Sequence, residues 1–180
     1  MRMLGGRLFS AGWLEPFLER RFASAAATWS QPNMRIMTKA AVRQRIQQEA
    51  DIQPIRLART GEVSIRPWSL AELRRDEELG TTCATYRASW AGSMELWDAA
   101  VDGANLRPVV ATVEASELVL TVDVIDDDQD LISALFRSEE AAIRKHLAAQ
   151  HPLLANYRGR LKMRAGEVAE ALFDRRWSVG

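Results

Sequence analysis

The run "DDDQD" holds Asp126, Asp127, Asp128 and Asp130, the only local carboxylate cluster in this chain. Carboxylates at alternate positions can ligate calcium, and Asp126, Asp128 and Asp130 match the first three spacings of a calcium loop. The glycine that such a loop needs falls on Leu131, however, and the closing acid falls on Arg137. The expected role is structural: to end a strand, cap the next helix and complement its dipole. His146 and His151 lie five apart, which does not place them on one helical face, and no acidic partner has metal spacing. Both are expected at the surface near a helix end. Cys83, the single cysteine, falls on an apolar seam and reads as a small core residue rather than a nucleophile. Gly5-Gly6 lacks the lysine and helix of a phosphate loop, and neither G-x-S-x-G nor H-E-x-x-H occurs. The sequence therefore assigns no catalytic, cofactor-binding or metal residue and calls for no cofactor. It leans away from an enzyme, although residues gathered from distant segments could still form an active site.

With 180 residues, 47% hydrophobic and 27% charged, the chain is long enough for one globular domain of ordinary size. One cysteine excludes an internal disulfide. There is no N-x-S/T sequon, because Asn33, Asn105 and Asn156 are each followed two residues later by Arg. Both points fit a reducing interior better than a secretory route. No apolar stretch approaches the ~20 residues that span a bilayer.

The zero net charge conceals a pattern. Residues 1–59 carry ten Arg/Lys against four acids, residues 60–130 five against fifteen, and residues 131–180 nine against five. Such a basic, acidic, basic order either closes on itself within one domain or offers opposite patches to partners. A free-standing nucleic-acid binder would be basic overall. An RNA contact is still conceivable through the basic segment of residues 35–59, since RNA can be held by loops and arms.

From Arg7, "RLFSAGWLEPFLERRFASAAATW" places Phe9, Trp13 and Phe17 four apart, with Leu14, Leu18 and Phe22 alongside. This predicts an amphipathic helix with arginines on its other side. The segment resembles a mitochondrial presequence, being Arg-, Ser- and Ala-rich, and "RRFAS" resembles a processing site with the cut after Phe22. Glu15, Glu19 and Pro16 depart from that pattern, and the competing expectation is a retained docking helix. The resemblance implies the mitochondrial matrix or the matrix face of the inner membrane; the alternative is the cytoplasm.

Beyond a break at "SQPNM", residues 35–49 predict a basic helix, with Val42 and Ile46 on its apolar side. "EVSIRPW" alternates as a short strand ended by Pro67, and Ser69 with Glu72 reads as a capping box. Leu79, Cys83, Tyr86, Trp90, Met94, Trp97 and Val101 then recur at spacings of three and four, which predicts a long central helix. Val109, Ala111 and Val113 alternate, as do Leu118, Leu120, Val122 and Val124, which predicts a hairpin with a turn at Glu114–Glu117. From Asp130 the period is helical again, with stops expected at His151-Pro152, Gly159 and Gly166.

The fold expected is α+β: a mostly helical single domain with a small antiparallel sheet, made of a hairpin at about 108–125 to which a strand at about 62–66 could add a third member. Residues 1–22 form the presequence or docking helix, 35–60 the basic helix and connector, and 61–180 the α+β domain. The function expected is that of a non-catalytic accessory or structural subunit of a mitochondrial protein or ribonucleoprotein assembly. The alternative is a bacterial or phage cytosolic interaction module that retains its N-terminal helix. Partner-binding residues are expected at Arg35, Lys39, Arg43, Arg45, Arg56 and Arg59, and at Phe9, Trp13 and Phe17.

Overall fold

The period that predicts a long helix from Leu79 to Val101 belongs to the middle of a sheet. A computed structural model of the protein describes residues 1–31, 36–76, 79–125 and 128–174. In chain order its elements are β1 (Arg2–Leu4), β2 (Gly6–Leu8), β3 (Gly12–Trp13), α1 (Leu14–Trp29), α2 (Lys39–Ala50), β4 (Arg56–Leu57) and β5 (Glu62–Pro67). They continue as α3 (Leu70–Leu73), β6 (Thr82–Ala91), a 3-10 turn (Met94–Trp97), β7 (Ala99–Ala100), β8 (Val109–Val113), β9 (Glu117–Val124) and α4 (Gln129–Asp174).

Among the described residues the sheet has seven antiparallel strands curved into a half-barrel, not the small hairpin-based sheet that the sequence predicts. Its backbone is β2-β8-β9-β6-β4, with β1 added to β9 and β5 added to β6. The hairpin forms where the alternation predicts it, as β8 and β9, and the strand around Ile65 forms as β5. The correction lies in β6, which sits between β9 and β5 in the place assigned to a helix. The physical reason is that apolar side chains fall on both faces at the start of β6. Ala84, Tyr86 and Ala88 point into the core while Cys83, just before them on the opposite face, is also buried. Apolar residues on both parities of a central strand can be read at spacings of three and four as easily as at two. The residue types favoured the strand all along, since "TTCATY" is rich in β-branched and aromatic side chains.

Three helices close the open side. The first half of α4 lies on the concave face of the sheet, where Tyr86 and Phe136 meet at 5.8 Å between ring centroids. Its second half packs with α1 and α2. This helix runs unbroken for 46 residues through Pro152, Gly159 and Gly166, so none of the three predicted stops ends it. Asp128 does cap it, its carboxylate accepting the Leu131 N–H at 3.0 Å, as the structural reading of the acidic run requires. Asp126 and Asp127 lie outside the described residues. The core joins Leu14, Leu18 and Phe22 of α1, Val42 and Ile46 of α2, and the inward side chains of β6, β8 and β9 to Ile132, Phe136, Ile143 and Leu154 of α4. Gln150 is 1% exposed, and its carboxamide donates to the carbonyls of Leu96 (2.9 Å) and Ala99 (2.7 Å), which fixes the 3-10 turn to α4.

The N-terminal segment is part of this frame. β1 pairs with β9, placing Arg2 opposite Asp123, and β2 pairs with β8. The predicted helix from Arg7 begins only at Leu14, so Phe9 and Trp13 precede it, and Pro16 falls in its first turn, where its missing N–H costs no hydrogen bond. No helix among the described residues is long and apolar enough to cross a membrane.

Candidate interaction surface

Among the described residues β5 forms an edge of the sheet, and all six of its residues are exposed. Its hydrogen-bonding phase is fixed by Trp68, whose N–H donates to the Thr81 carbonyl at 3.4 Å. That pair continues the register in which Glu62 faces Arg87 and Pro67 faces Thr82. Hydrogen-bonded positions alternate in an antiparallel ladder, so Glu62, Ser64 and Arg66 turn their backbone groups to β6 while Val63 and Ile65 turn theirs away. Pro67 belongs to the outward set, where a missing N–H leaves the ladder intact. Side chains alternate as well. Val63 and Ile65 share the face of Tyr86 and Ala84, yet remain 49% and 38% exposed. Glu62, Ser64 and Arg66 share the other face with Arg87, Thr85 and Cys83.

The end of this edge is held in place. Arg66 grips Glu72 with two hydrogen bonds, at 2.9 and 2.6 Å, and lies 5.6 Å above the Trp68 ring. Glu72 also accepts the Ser69 N–H at 2.9 Å, completing the predicted capping box. The Arg66 guanidinium first, and the Ser69 hydroxyl and N–H after it, hold the Glu72 carboxyl well below the usual carboxylate range. Behind it, Asp123 is 6% exposed and accepts both Trp68 Nε1 (2.9 Å) and the Gly80 N–H (2.8 Å). The strand is therefore presented in a fixed extended conformation, which lowers the ordering cost of pairing with it.

The residues expected to bind partners do not gather in one place. Phe9 is buried, tilted against Trp97 and stacked on His146. Trp13 is 53% exposed, and Phe17 lines a cleft of about 470 Å³ with Arg20, Arg21, Glu49 and Glu95. Within that cleft Arg21 binds Glu95 (3.1 Å) and the Asp51 carbonyl (3.2 Å). Lys39 pairs with Glu170 at 3.1 Å, Arg45 lies over the Trp29 ring, and Arg43 sits beside Gly166 of α4. Arg56 and Arg59 are exposed at β4 and just after it, and Arg35 lies outside the described residues. On the other basic segment, Arg158 binds Asp51 (2.9 Å) and Arg164 grips Glu19 (2.8 and 2.6 Å). Much of the alternating charge thus closes on itself between helices.

The titratable groups that are buried are also paired. Glu139 is 6% exposed and takes two hydrogen bonds from Arg107, at 2.8 and 3.0 Å, beside a small cleft of about 230 Å³. His146 is buried rather than superficial, and its Nε2 meets the Arg107 carbonyl at 3.0 Å. Tyr86 donates to Glu140 at 2.9 Å, and its hydroxyl is pushed up to about 12, by burial first and then by that carboxylate. No group of three or more His, Cys, Asp or Glu could hold a metal ion among the described residues.

Alternation plus Pro67 was enough to find β5 in the sequence; its exposure was not legible, because a strand with apolar residues on one parity reads as half-buried. Compared with protein-family models, curated proteins and solved structures, the chain finds no match in any of the three.

Proposed function

We propose that this chain is a non-catalytic accessory subunit of a larger protein assembly, and that β5 is where a partner strand joins it. The observation that carries this reading is the open edge. Val63 and Ile65 turn their N–H and C=O groups outward in the plane of the sheet, and their apolar side chains lie partly exposed together on one face, on a strand fixed by the Arg66–Glu72 grip. Strand addition to such an edge supplies backbone hydrogen bonds for affinity and alternate side chains for specificity. Natural sheets blunt exposed edges with charge, proline, bulges or a covering element; here Glu62, Arg66 and Pro67 stand at the ends of β5, and the middle, Val63 to Ile65, carries none of these.

The internal ion pairs of the basic segments support reading Lys39, Arg158 and Arg164 as braces between helices; Arg56 and Arg59, close to β5 in the chain, are the cations that an acidic partner would meet. This reading also keeps residues 1–22, since a cut after Phe22 would remove β1, β2 and the buried Leu14, Leu18 and Phe22.

A photo-crosslinking residue, p-benzoylphenylalanine, placed at position 63 in the living source cell tests the proposal. Val63 should give a discrete adduct that disappears on adding Ile65→Lys, while the same residue at Ser133, exposed on α4, gives none. No adduct from position 63, or one equally strong from 133, would overturn it.

A further inference from the structure

The sequence of β5 is self-complementary in the register that its hydrogen-bonding phase permits. We propose that the strand joining β5 is β5 of a second copy of this chain, paired antiparallel about a two-fold axis through Ser64; this rests on the reading of β5 as a docking edge.

The argument begins with the backbone. Val63 and Ile65 turn their N–H and C=O groups away from β6, so a second β5 must engage through those two residues. With Ser64 on the axis, Val63 lies opposite Ile65 of the other copy, twice, and each such pair exchanges both of its hydrogen bonds. On one face the two pairs bring Val and Ile side chains together, covering the apolar surface that each copy leaves open. On the other face Glu62 lies directly opposite Arg66 of the other copy, also twice, so opposite charges meet at both ends. The remaining Arg66 contacts leave room for this. Its guanidinium has five N–H donors, of which Glu72 takes two and the Pro67 carbonyl one.

Neighbouring registers lose these matches. A slip of two residues in one direction sets Val63 against Pro67, which has no N–H to give, and Glu62 against Trp68. A slip in the other direction sets Ile65 against Gly61 and Arg66 against Thr60, leaving both charges unanswered. The sequence "EVSIR" thus specifies one pairing, and a two-fold arrangement is the usual one for a patch that complements itself. An interface made of one strand pair is small, which places the association among weak, concentration-dependent ones.

The experiment is sedimentation equilibrium of the full chain over a concentration series, combined with amide exchange at Val63 and Ile65. The mass should rise from one chain toward two, with exchange at those amides slowing in step. Ser64→Cys should form a disulfide dimer on air oxidation, because the two positions meet on the axis and the native Cys83 is 1% exposed. Glu62→Arg, which sets like charges opposite each other twice, should raise the dissociation constant about tenfold without changing the melting temperature. A single-chain mass throughout, with fast exchange at Val63 and Ile65, would sink the second copy while leaving the edge open for another partner. A single-chain mass with those amides protected at every dilution would show the edge covered from within, and would sink the docking reading as well. A dimer in which Ser64→Cys stays uncrosslinked would overturn the register.

Discussion

Phe9 stacks on His146 with ring centroids 4.3 Å apart and planes 7° from parallel, joining the loop after β2 to the middle of α4. The contact is held from both ends. Phe9 donates its N–H to the Trp97 carbonyl at 2.7 Å, and His146 Nε2 meets the Arg107 carbonyl. It also holds Phe9 at φ 52°, a left-handed backbone that a bulky residue seldom adopts.

Removing that ring should be costly. Phe9→Ala is expected to destabilise the chain by about 3–5 kcal/mol, measured by urea denaturation, because a buried aromatic is lost from a packed site. Phe9→Gly should be no less stable than Phe9→Ala, since glycine enters the left-handed region freely while alanine keeps the strain. An effect under about 1 kcal/mol from Phe9→Ala would show that the stacked pair does not hold the two segments together.

A chain that begins at Ala23 should not fold. It would lack β1, β2 and the buried side chains of Leu14, Leu18 and Phe22, which are 1%, 2% and 7% exposed. Each such side chain contributes about 1.5–3 kcal/mol on burial, and the whole domain is stable by only about 5–15 kcal/mol. Circular dichroism and thermal melting of the truncated chain check this. A cooperative melt within a few degrees of the full chain would assign residues 1–22 to an appendage, and would restore the processing reading of "RRFAS".

The two tyrosines give a pH prediction. Burial raises both Tyr86 and Tyr157, and Glu140 adds to the shift of Tyr86, which reaches about 12. Each folded value is raised above the unfolded value near 10, so the folded state favours the neutral phenol. The associated stability is complete below pH 10 and is lost as pH rises from about 10 toward 12. Phenolate absorbance at 295 nm should therefore stay low at pH 10 in the folded chain and rise together with unfolding. Tyr86→Phe should weaken the pH dependence above 10 without abolishing it, because Tyr157 keeps its share. Half-ionisation at pH 10 in the folded chain would contradict the buried positions of both rings.

The hairpin of β8 and β9, the strand β5, the capping box at Ser69 and the basic helix α2 were all legible in the sequence. In each of them one face or one end carries a local signal: alternation at Leu118 to Val124, a hydroxyl and carboxylate three apart, or the Val42 and Ile46 stripe. The candidate site was half legible. Residues 62–66 read as a strand, but nothing local shows that no other described strand pairs beyond it, since an edge is defined by what the rest of the chain leaves uncovered. The expected site residues were chosen by charge and aromatic character. Those properties do not distinguish Phe9, which enters the core, from Trp13, which stays at the surface.

Local chemistry by itself determined the single cysteine, the uncapped calcium spacing, the alternating charge blocks and the elements whose apolar residues keep one period. Tertiary structure alone decided three things: that β6 is a strand, that residues 1–22 belong to the frame, and that α4 runs through Pro152. In each case the deciding energy comes from residues far away in sequence. β6 gains ladder bonds to β9 and β5 and buries its inner face, β1 and β2 gain their ladder bonds from the distant β9 and β8, and α4 is held along its length by the sheet and by α1 and α2. Such contacts outweigh the few tenths of a kcal/mol per residue that local propensity supplies.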